Sequence, residues 1–414
     1  MANILYLVHR LPYPPNKGDK VRSYHLLKHL VARHNVYLGT FVDDPDDEQH
    51  VARLQGMCSD MLAVPLRPLR AKVGSLAGLV RGDPLSLGYY HSAALMAWVV
   101  NVAERCAMDA AVVFSSAMAQ YVPRDGASFR MPCLVDFVDV DSAKWAQYSE
   151  QRAWPMSWVF DREGRTLLAY ERAIASMAFR SFFVTEKESD YFRKLAPECA
   201  NNVQAIGNGV DADFFSPDAG RQNPFCPGET SVVFTGAMDY WPNIDAVAWF
   251  ASEVLPALLA TWPRVRFVVV GRSPPPSIVS LMSAAVTVTG TVADVRPYLQ
   301  HAAVVVAPMR LARGVQNKIL EAMAMARPVV AAVECATAIS AKVGHEFLAA
   351  AEPLDYVSAI GQLLGDPDLA IAMGKRGRDC VTRNYSWDAQ LAKIDDFLPG
   401  GDCFESMVRP AGSV

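Results

Sequence analysis

The sequence predicts an α/β fold of two Rossmann-like, doubly wound domains, on three observations. With 414 residues, 51% of them apolar, the chain exceeds what one hydrophobic core organises and holds material for two. Short apolar runs of strand length alternate with segments of helical period, the pattern of parallel sheets covered on both faces. The alternation breaks off at a stretch of Pro, Gly and polar residues, 216–228, and then starts afresh, which marks a connection between domains. A formal charge of −4 gives no electrostatic footprint for nucleic acid.

The first element is a strand over 3–8. A turn with Pro12, Pro14, Pro15 and Gly18 follows, then a helix from about Lys20 to Arg33, with Val21, Tyr24, Leu27 and Val31 along one face. A strand over 36–42 completes a βαβ-like unit, and further buried strands are expected at 110–114, 133–138, 181–184 and 203–206. The second array runs strand 231–235, helix 245–259, strands 265–270 and 286–289, helix 295–301, strand 304–308, helix 317–326 and strand 328–333. Helices from 355 onward end near Leu398. The chain thus divides into a first domain over 1–215, a second over 216–385, a helix at 386–398 packing back on the first, and a flexible tail at 399–414. Eight cysteines without a C-x-x-C pair read as reduced thiols packed as small hydrophobes. No run approaches the length of a bilayer span. The run 4–8 is too short for a signal peptide and gives way to prolines, so a cytoplasmic location is expected.

Ligands of doubly wound sheets lie beyond the carboxyl ends of the strands, and two such sheets facing each other place that rim in an interdomain cleft. The richest loop follows the strand at 304–308. It carries Arg310, Arg313 and Gly314, then Val315, before a helix opens near Gln316 or Asn317. Free N–H groups at a helix start, a glycine and nearby cations suit a phosphate. Lys318 stands in the first turn, where it opposes the helix dipole unless an anion is bound; the alternative is a solvated lysine. Glu321 shares the face of Asn317 and Lys318. It fits either an acceptor for two ribose hydroxyls or a surface carboxylate paired with Lys318.

The string Lys318-Ile-Leu-Glu-Ala-Met-Ala-Met-Ala-Arg-Pro-Val-Val330 resembles the donor-site signature of retaining glycosyltransferases of family 4, which have the GT-B fold. Gly207-Asn-Gly-Val-Asp211 with Phe215 and Pro217, Phe234-Thr-Gly-Ala237 with Asn243, Val268-Val-Val-Gly-Arg272, Thr289-Gly-Thr291 and Tyr385-Ser-Trp387 agree in the same order. Pro12-Tyr-Pro-Pro-Asn-Lys-Gly-Asp-Lys-Val-Arg-Ser23 and Val135-Asp-Phe-Val-Asp-Val-Asp-Ser-Ala-Lys-Trp145 resemble the subgroup linked to exopolysaccharide synthesis and the PEP-CTERM/exosortase system. The resemblance implies transfer of a sugar, with retention, from a nucleoside diphosphate sugar to a glycan or lipid-linked acceptor, without a bound divalent ion or other cofactor. Two departures stand out. Where the family places the first of two spaced glutamates, this chain has Arg313, and the loop after the first donor-domain strand, with Gly236, lacks the family's Arg and Lys. The diphosphate must then find its cations among Arg272, Arg310, Arg313 and Lys318, with Arg313 and Lys318 favoured. A nucleotide-sugar 2-epimerase of the same fold and a non-catalytic two-lobed sugar-binding protein are the competing readings.

On the first-domain side, Gly18 and Asp19 fit a loop approaching donor phosphate or acceptor, or plain turn chemistry, and Arg22 in the next helix is placed facing the cleft. Asp136, Asp139 and Asp141 crowd the end of one strand, where repulsion raises one pKa. Asp139 there positions an acceptor hydroxyl, or Asp139 or Asp141 caps a helix. Ser115 and Ser116 follow another strand, and no general base is assigned. His25 and His29 are spaced as a metal pair but better explained by helix packing. The stretch from Arg67 to Arg81 mixes cations with apolar residues and reads as an ordinary amphipathic surface helix or as a peripheral contact with the inner membrane surface.

Overall fold

The apolar runs of the first half pair side by side because each can be buried on both faces. In the computed structural model, which describes residues 1–15, 18–126, 128–150, 153–310 and 315–408, seven of them form one sheet. They are β1 (Asn3–Val8), β2 (Asn35–Val42), β3 (Asp60–Pro65), β4 (Ala110–Phe114), β5 (Cys133–Val138), β6 (Arg180–Phe183) and β7 (Val203–Ala205). Their order is β3-β2-β1-β4-β5-β6-β7, and every pair is parallel. The second half repeats the plan with β8 (Thr230–Thr235), β9 (Val265–Val270), β10 (Val286–Val288), β11 (Val304–Ala307), β12 (Val329–Ala332) and β13 (Leu348–Ala350). These are ordered β10-β9-β8-β11-β12-β13, again all parallel. Each sheet has its own apolar core.

Both sheets reverse their winding once, between β1 and β4 in the first and between β8 and β11 in the second. Crossover helices leave opposite faces there, and a crevice opens beyond the carboxyl ends of the two strands. Topology alone therefore singles out the ends of β1 and β4, and of β8 and β11.

The chain divides into two compact units, Met1–Gly207 with the segment from Leu391 onward, and Asn208–Gln390. The first unit stops short of residue 215 because the next residues are tied to the end of the second. Val210 N–H donates to the Tyr385 carbonyl at 2.7 Å, and Arg378 donates to the Phe215 carbonyl at 3.0 Å. From Leu391 the chain belongs to the first unit, where His29 meets Asp395 at 2.6 Å and Phe397 packs on Phe179 and Phe182. The tail is not frayed where 399–414 was expected to be. Asp402–Val408 is helical and Phe404 is buried against Phe179, an apolar anchor the composition of the segment conceals. Residues 409–414 lie outside the described residues.

One helical run, Trp241–Thr261, is as long and apolar as a membrane span, with mean hydropathy 1.4, contrary to the expectation that none is. Its Ala246, Val247, Phe250, Val254 and Leu258 are buried in the core of the second unit, the position of a core helix. It widens to a π-turn over Phe250–Val254 just before Pro256, where the ring has no N–H to donate.

Candidate functional site

Beyond β8 and β9 the backbone turns are packed so closely that side chains are excluded. A Cβ at Gly271, next after β9, would stand 1.7 Å from the Gly236 carbonyl oxygen, and one at Gly236 would stand 2.7 Å from Asn243 Nδ2 and 3.1 Å from Lys318 Nζ. Facing these turns is the start of the helix Asn317–Ala324. Its buried face, Ile319, Leu320, Ala322 and Met323, locks it onto the core, so the first turn is presented rigidly.

Lys318 is the centre of this arrangement. Its Nζ donates to Asn243 Oδ1 at 2.6 Å and contacts Met309 Sδ at 3.4 Å, and it lies 4.2 Å from the centre of the Phe234 ring. Asn243 is itself fixed, its Nδ2 donating to the Ala237 carbonyl at 2.8 Å, which turns its oxygen toward the lysine. Lys318 makes no ion pair with Glu321, so the reading of Glu321 as a surface carboxylate paired with Lys318 is replaced. Burial pushes the Lys318 ammonium down to about 7, against smaller upward pulls from Cys335 and Glu321. Burial pushes the Glu321 carboxyl up to about 7, only partly offset by Lys318. Two ionisable groups one turn apart are thus poised near neutrality. Asn317 adds a buried Oδ1 with no hydrogen-bond partner among the described residues.

The other expected donor-side residues are placed as follows. Arg310 is taken up by a two-pronged pair with Asp245, its guanidinium 5.8 Å from the Trp249 ring. Arg272 is half exposed, 3.7 Å from Asp239, and its carbonyl accepts from Met238 N–H. Val315 packs partly against the core, and Gln316 stands at the helix cap. Arg313 and Gly314 lie outside the described residues.

In the first unit most of the expected ligand groups have partners within the protein. Arg22 is buried with Asp136, Nε donating to Oδ2 at 2.7 Å and Nη2 to Oδ1 at 3.2 Å, while Nη1 donates to the Gly207 carbonyl at 3.1 Å. It is a strut, because burying a charge demands a partner. Gly18 opens its helix with nothing within 4 Å of where a Cβ would be, so no close approach requires the glycine. Asp19 pairs with Arg10 at 3.1 Å and with His9 at 3.6 Å. Although burial opposes it, these contacts hold its carboxyl well below the usual range. The crowded carboxylates do not repel one another unanswered. Asp136 has Arg22, and Lys144 Nζ bridges Asp139 and Asp141 at 2.9 Å each. The capping falls to other residues, Glu188 accepting from Val140 N–H and Glu171 from Ser142 N–H and Oγ. Asp139 does sit on strained backbone. Its N–H donates to the Phe137 carbonyl at 2.9 Å across Val138, whose φ of 69° is costly for a β-branched residue.

His9 is the residue the sequence reading passed over. It follows β1 directly, stacks on Phe114 of β4 with ring centres 5.8 Å apart, and reaches toward Asp19. It therefore stands at the switch point of the first sheet, beside Ser115, whose φ is 75°. Its place after a strand at the sheet centre was the available signal. His29, by contrast, is buried against Asp395, and among the described residues no group of three His, Cys, Asp or Glu side chains is placed to hold a metal.

Residues 229–366 match the family model for glycosyl transferases group 1, a stretch that contains Gly236, Asn243, Gly271, Lys318 and Glu321. A 44-residue segment is 50% identical to the GDP-mannose-dependent alpha-(1-6)-phosphatidylinositol monomannoside mannosyltransferase of Mycobacterium tuberculosis, covering 11% of this chain and 11% of that protein's length. Along nearly the whole chain the fold is that of solved proteins. Anabaena HepE in complex with UDP matches with a TM-score of 0.66 and 17% identity, over 96% of this chain and 99% of that one. Sucrose-phosphate synthase of Thermosynechococcus elongatus matches with a TM-score of 0.67 and 20% identity, over 95% and 98%. WaaG, a glycosyltransferase involved in lipopolysaccharide biosynthesis, matches with a TM-score of 0.61 and 17% identity, over 96% and 100%. The architecture is GT-B, two Rossmann-like units in one chain.

Proposed function

We propose that this protein is a cytoplasmic, family 4 glycosyltransferase that moves a sugar, with retention, from a nucleoside diphosphate sugar to a glycan or lipid-linked acceptor in exopolysaccharide assembly. The observation that carries the reading is Lys318, held by Asn243 and the Phe234 ring at the winding switch of the second sheet, in the first turn of a helix. That geometry answers a diphosphate. Glu321, one turn on, accepts hydrogen bonds from ribose hydroxyls. Support for a nucleotide donor comes from the HepE protein solved with UDP and with UDP-glucose, and from the GDP-mannose named for the mannosyltransferase.

In the transfer the bond from the anomeric carbon to the β-phosphate oxygen breaks, and the acceptor oxygen bonds the same face of the sugar. The acceptor proton leaves with the departing diphosphate. Lys318 and the helix N–H groups stabilise the charge developing on the leaving group, and no divalent ion is invoked. Asp139-Val-Asp141 is no free D-x-D pair, since Lys144 bridges its carboxylates. Asp139 orients the acceptor hydroxyl from the strained turn. A thermal-shift panel of nucleotides and nucleotide sugars tests donor binding, followed by mass spectrometry of the products. A glycoside is expected. An epimerised nucleotide sugar without glycoside replaces the reading by a 2-epimerase, and no ligand shift at all removes it.

A further inference from the structure

A strand-to-strand crossover needs one covering helix, and between β3 and β4 the helix Ala93–Arg105 supplies it. Ahead of it the chain inserts three short helices, Pro68–Ser75, Ala77–Arg81 and Leu85–Tyr89. Leu69, Val73, Leu76 and Val80 follow one another at helical spacing, and surface helices turn such residues to the core. Here they face outward, 80%, 70%, 52% and 92% exposed.

The outward stripe is not the result of loose packing. Arg162, buried on the long helix Met156–Met177, donates to the carbonyls of Gly78 at 2.7 Å and Asp83 at 3.2 Å. Its neighbour Glu163, also buried, accepts from Leu85 N–H, Ser86 N–H and Ser86 Oγ. Two buried charges are thus spent on holding this insertion in place. One helical turn before Arg162 stands Trp158, 52% exposed, and Trp154 is 81% exposed.

The charges select the occupant. Arg67, Arg70, Lys72 and Arg81 are exposed, none has an ion-pair partner among the described residues, and no acidic residue occurs between Asp60 and Asp83. Between the insertion and the sheet lies a cavity of about 580 Å³ lined by Arg67, Arg70 and Arg81, with Asp83, Tyr89 and His91 on its walls. A second copy would set like charges against each other across an isologous contact. An anionic bilayer offers both parts at once, acyl chains for the stripe and phosphate head groups for the arginines.

We infer that residues 67–91 dock this protein on an anionic phospholipid surface, with a lipid phosphate head group in the arginine-lined cavity. This extends the lipid-side reading of the acceptor but rests on no property of the donor site. The test is co-sedimentation with vesicles of phosphatidylcholine alone and of phosphatidylcholine with about 30% phosphatidylglycerol, using full-length protein. Binding to the anionic vesicles only, weakening with salt, is expected. The triple variant Arg67→Gln/Arg70→Gln/Arg81→Gln loses roughly 100-fold in affinity, and Leu69→Ser/Val80→Ser at least about tenfold. Both keep the melting temperature of the parent and its binding of the nucleotide selected by the thermal-shift panel, so a failure here leaves the transferase reading standing. Soluble glycerol phosphate raises the melting temperature of the parent and not of the triple variant. Equal binding to neutral and anionic vesicles, unchanged binding by either variant, or a dimer that these substitutions abolish overturns the inference.

Discussion

A lysine whose ammonium is disfavoured by burial is a poor stabiliser and a good anion receptor. Because Lys318 drops to about 7 from its ordinary 10.5, the free protein carries it largely neutral above pH 7, and binding a diphosphate then requires taking up a proton. The dissociation constant of whichever nucleoside diphosphate the thermal-shift panel selects is expected to rise above pH 7 by up to about tenfold per pH unit, measured by titration calorimetry across pH 6–9, and to lose that slope in Lys318→Met. The stability linkage has a definite sign. The folded-state penalty for Lys318 is fully present below about 7 and is relieved as pH rises toward 10.5. For Glu321, raised to about 7 from 4.5, the penalty is absent below 4.5 and grows as pH rises to 7. Lys318→Met therefore raises the melting temperature chiefly at acidic pH, and Glu321→Gln chiefly at neutral and alkaline pH, each at the expense of donor binding. Asn243→Ala removes a hydrogen bond to a charged group, about 2 kcal/mol. Affinity for that nucleoside diphosphate should fall some thirtyfold without loss of fold. The conflict of Lys318 with its helix dipole was legible in the sequence. Its anchor Asn243 was visible only as part of a motif, since nothing local says that a residue so far away in the chain turns its oxygen to the lysine.

Among the elements, the ends of β8 and β9 hold the tightest constraint. Gly271→Ala must push the Gly236 carbonyl aside, since 1.7 Å is far inside contact distance, and relief comes only by parting the two turns that face Lys318. A cost of about 1–3 kcal/mol in stability is expected, together with a loss of nucleotide binding much larger than that of a surface Gly→Ala change such as Gly18→Ala, where nothing lies within 4 Å. Urea unfolding and calorimetry on the two variants check this. Strands buried on both faces, such as β4 and β11, could be read directly as apolar runs. The edge strand β3 could not, because its residues are only partly buried and its short apolar run resembles a loop. The insertion at 67–91 carried its mixed pattern openly, yet periodicity does not say which way a stripe faces; the Arg162–Glu163 clamp decides that, and it comes from a helix far along the chain.

For the whole molecule, two sheets with separate cores mean two cooperative units, and the unit limits are set by contacts that local pattern does not encode. Proline and glycine at 216–228 suggested a boundary there, whereas the pairing of Val210 with Tyr385 moves it to Gly207. Arg22 shows how such long-range ties carry stability. It binds the end of β5 through Asp136 and the last residue of the first unit through the Gly207 carbonyl. Arg22→Met strands a buried carboxylate and should cost about 3–5 kcal/mol, whereas Arg22→Met/Asp136→Leu, which removes both charges, recovers most of it. Hydrogen exchange followed by mass spectrometry in rising urea separates the units. Peptides from 1–207 should lose protection early in the single variant and near the parental midpoint in the double variant, while peptides from 208–390 stay unmoved in both. If Arg22 served a bound phosphate rather than the fold, the single variant would leave every midpoint in place and weaken only ligand binding.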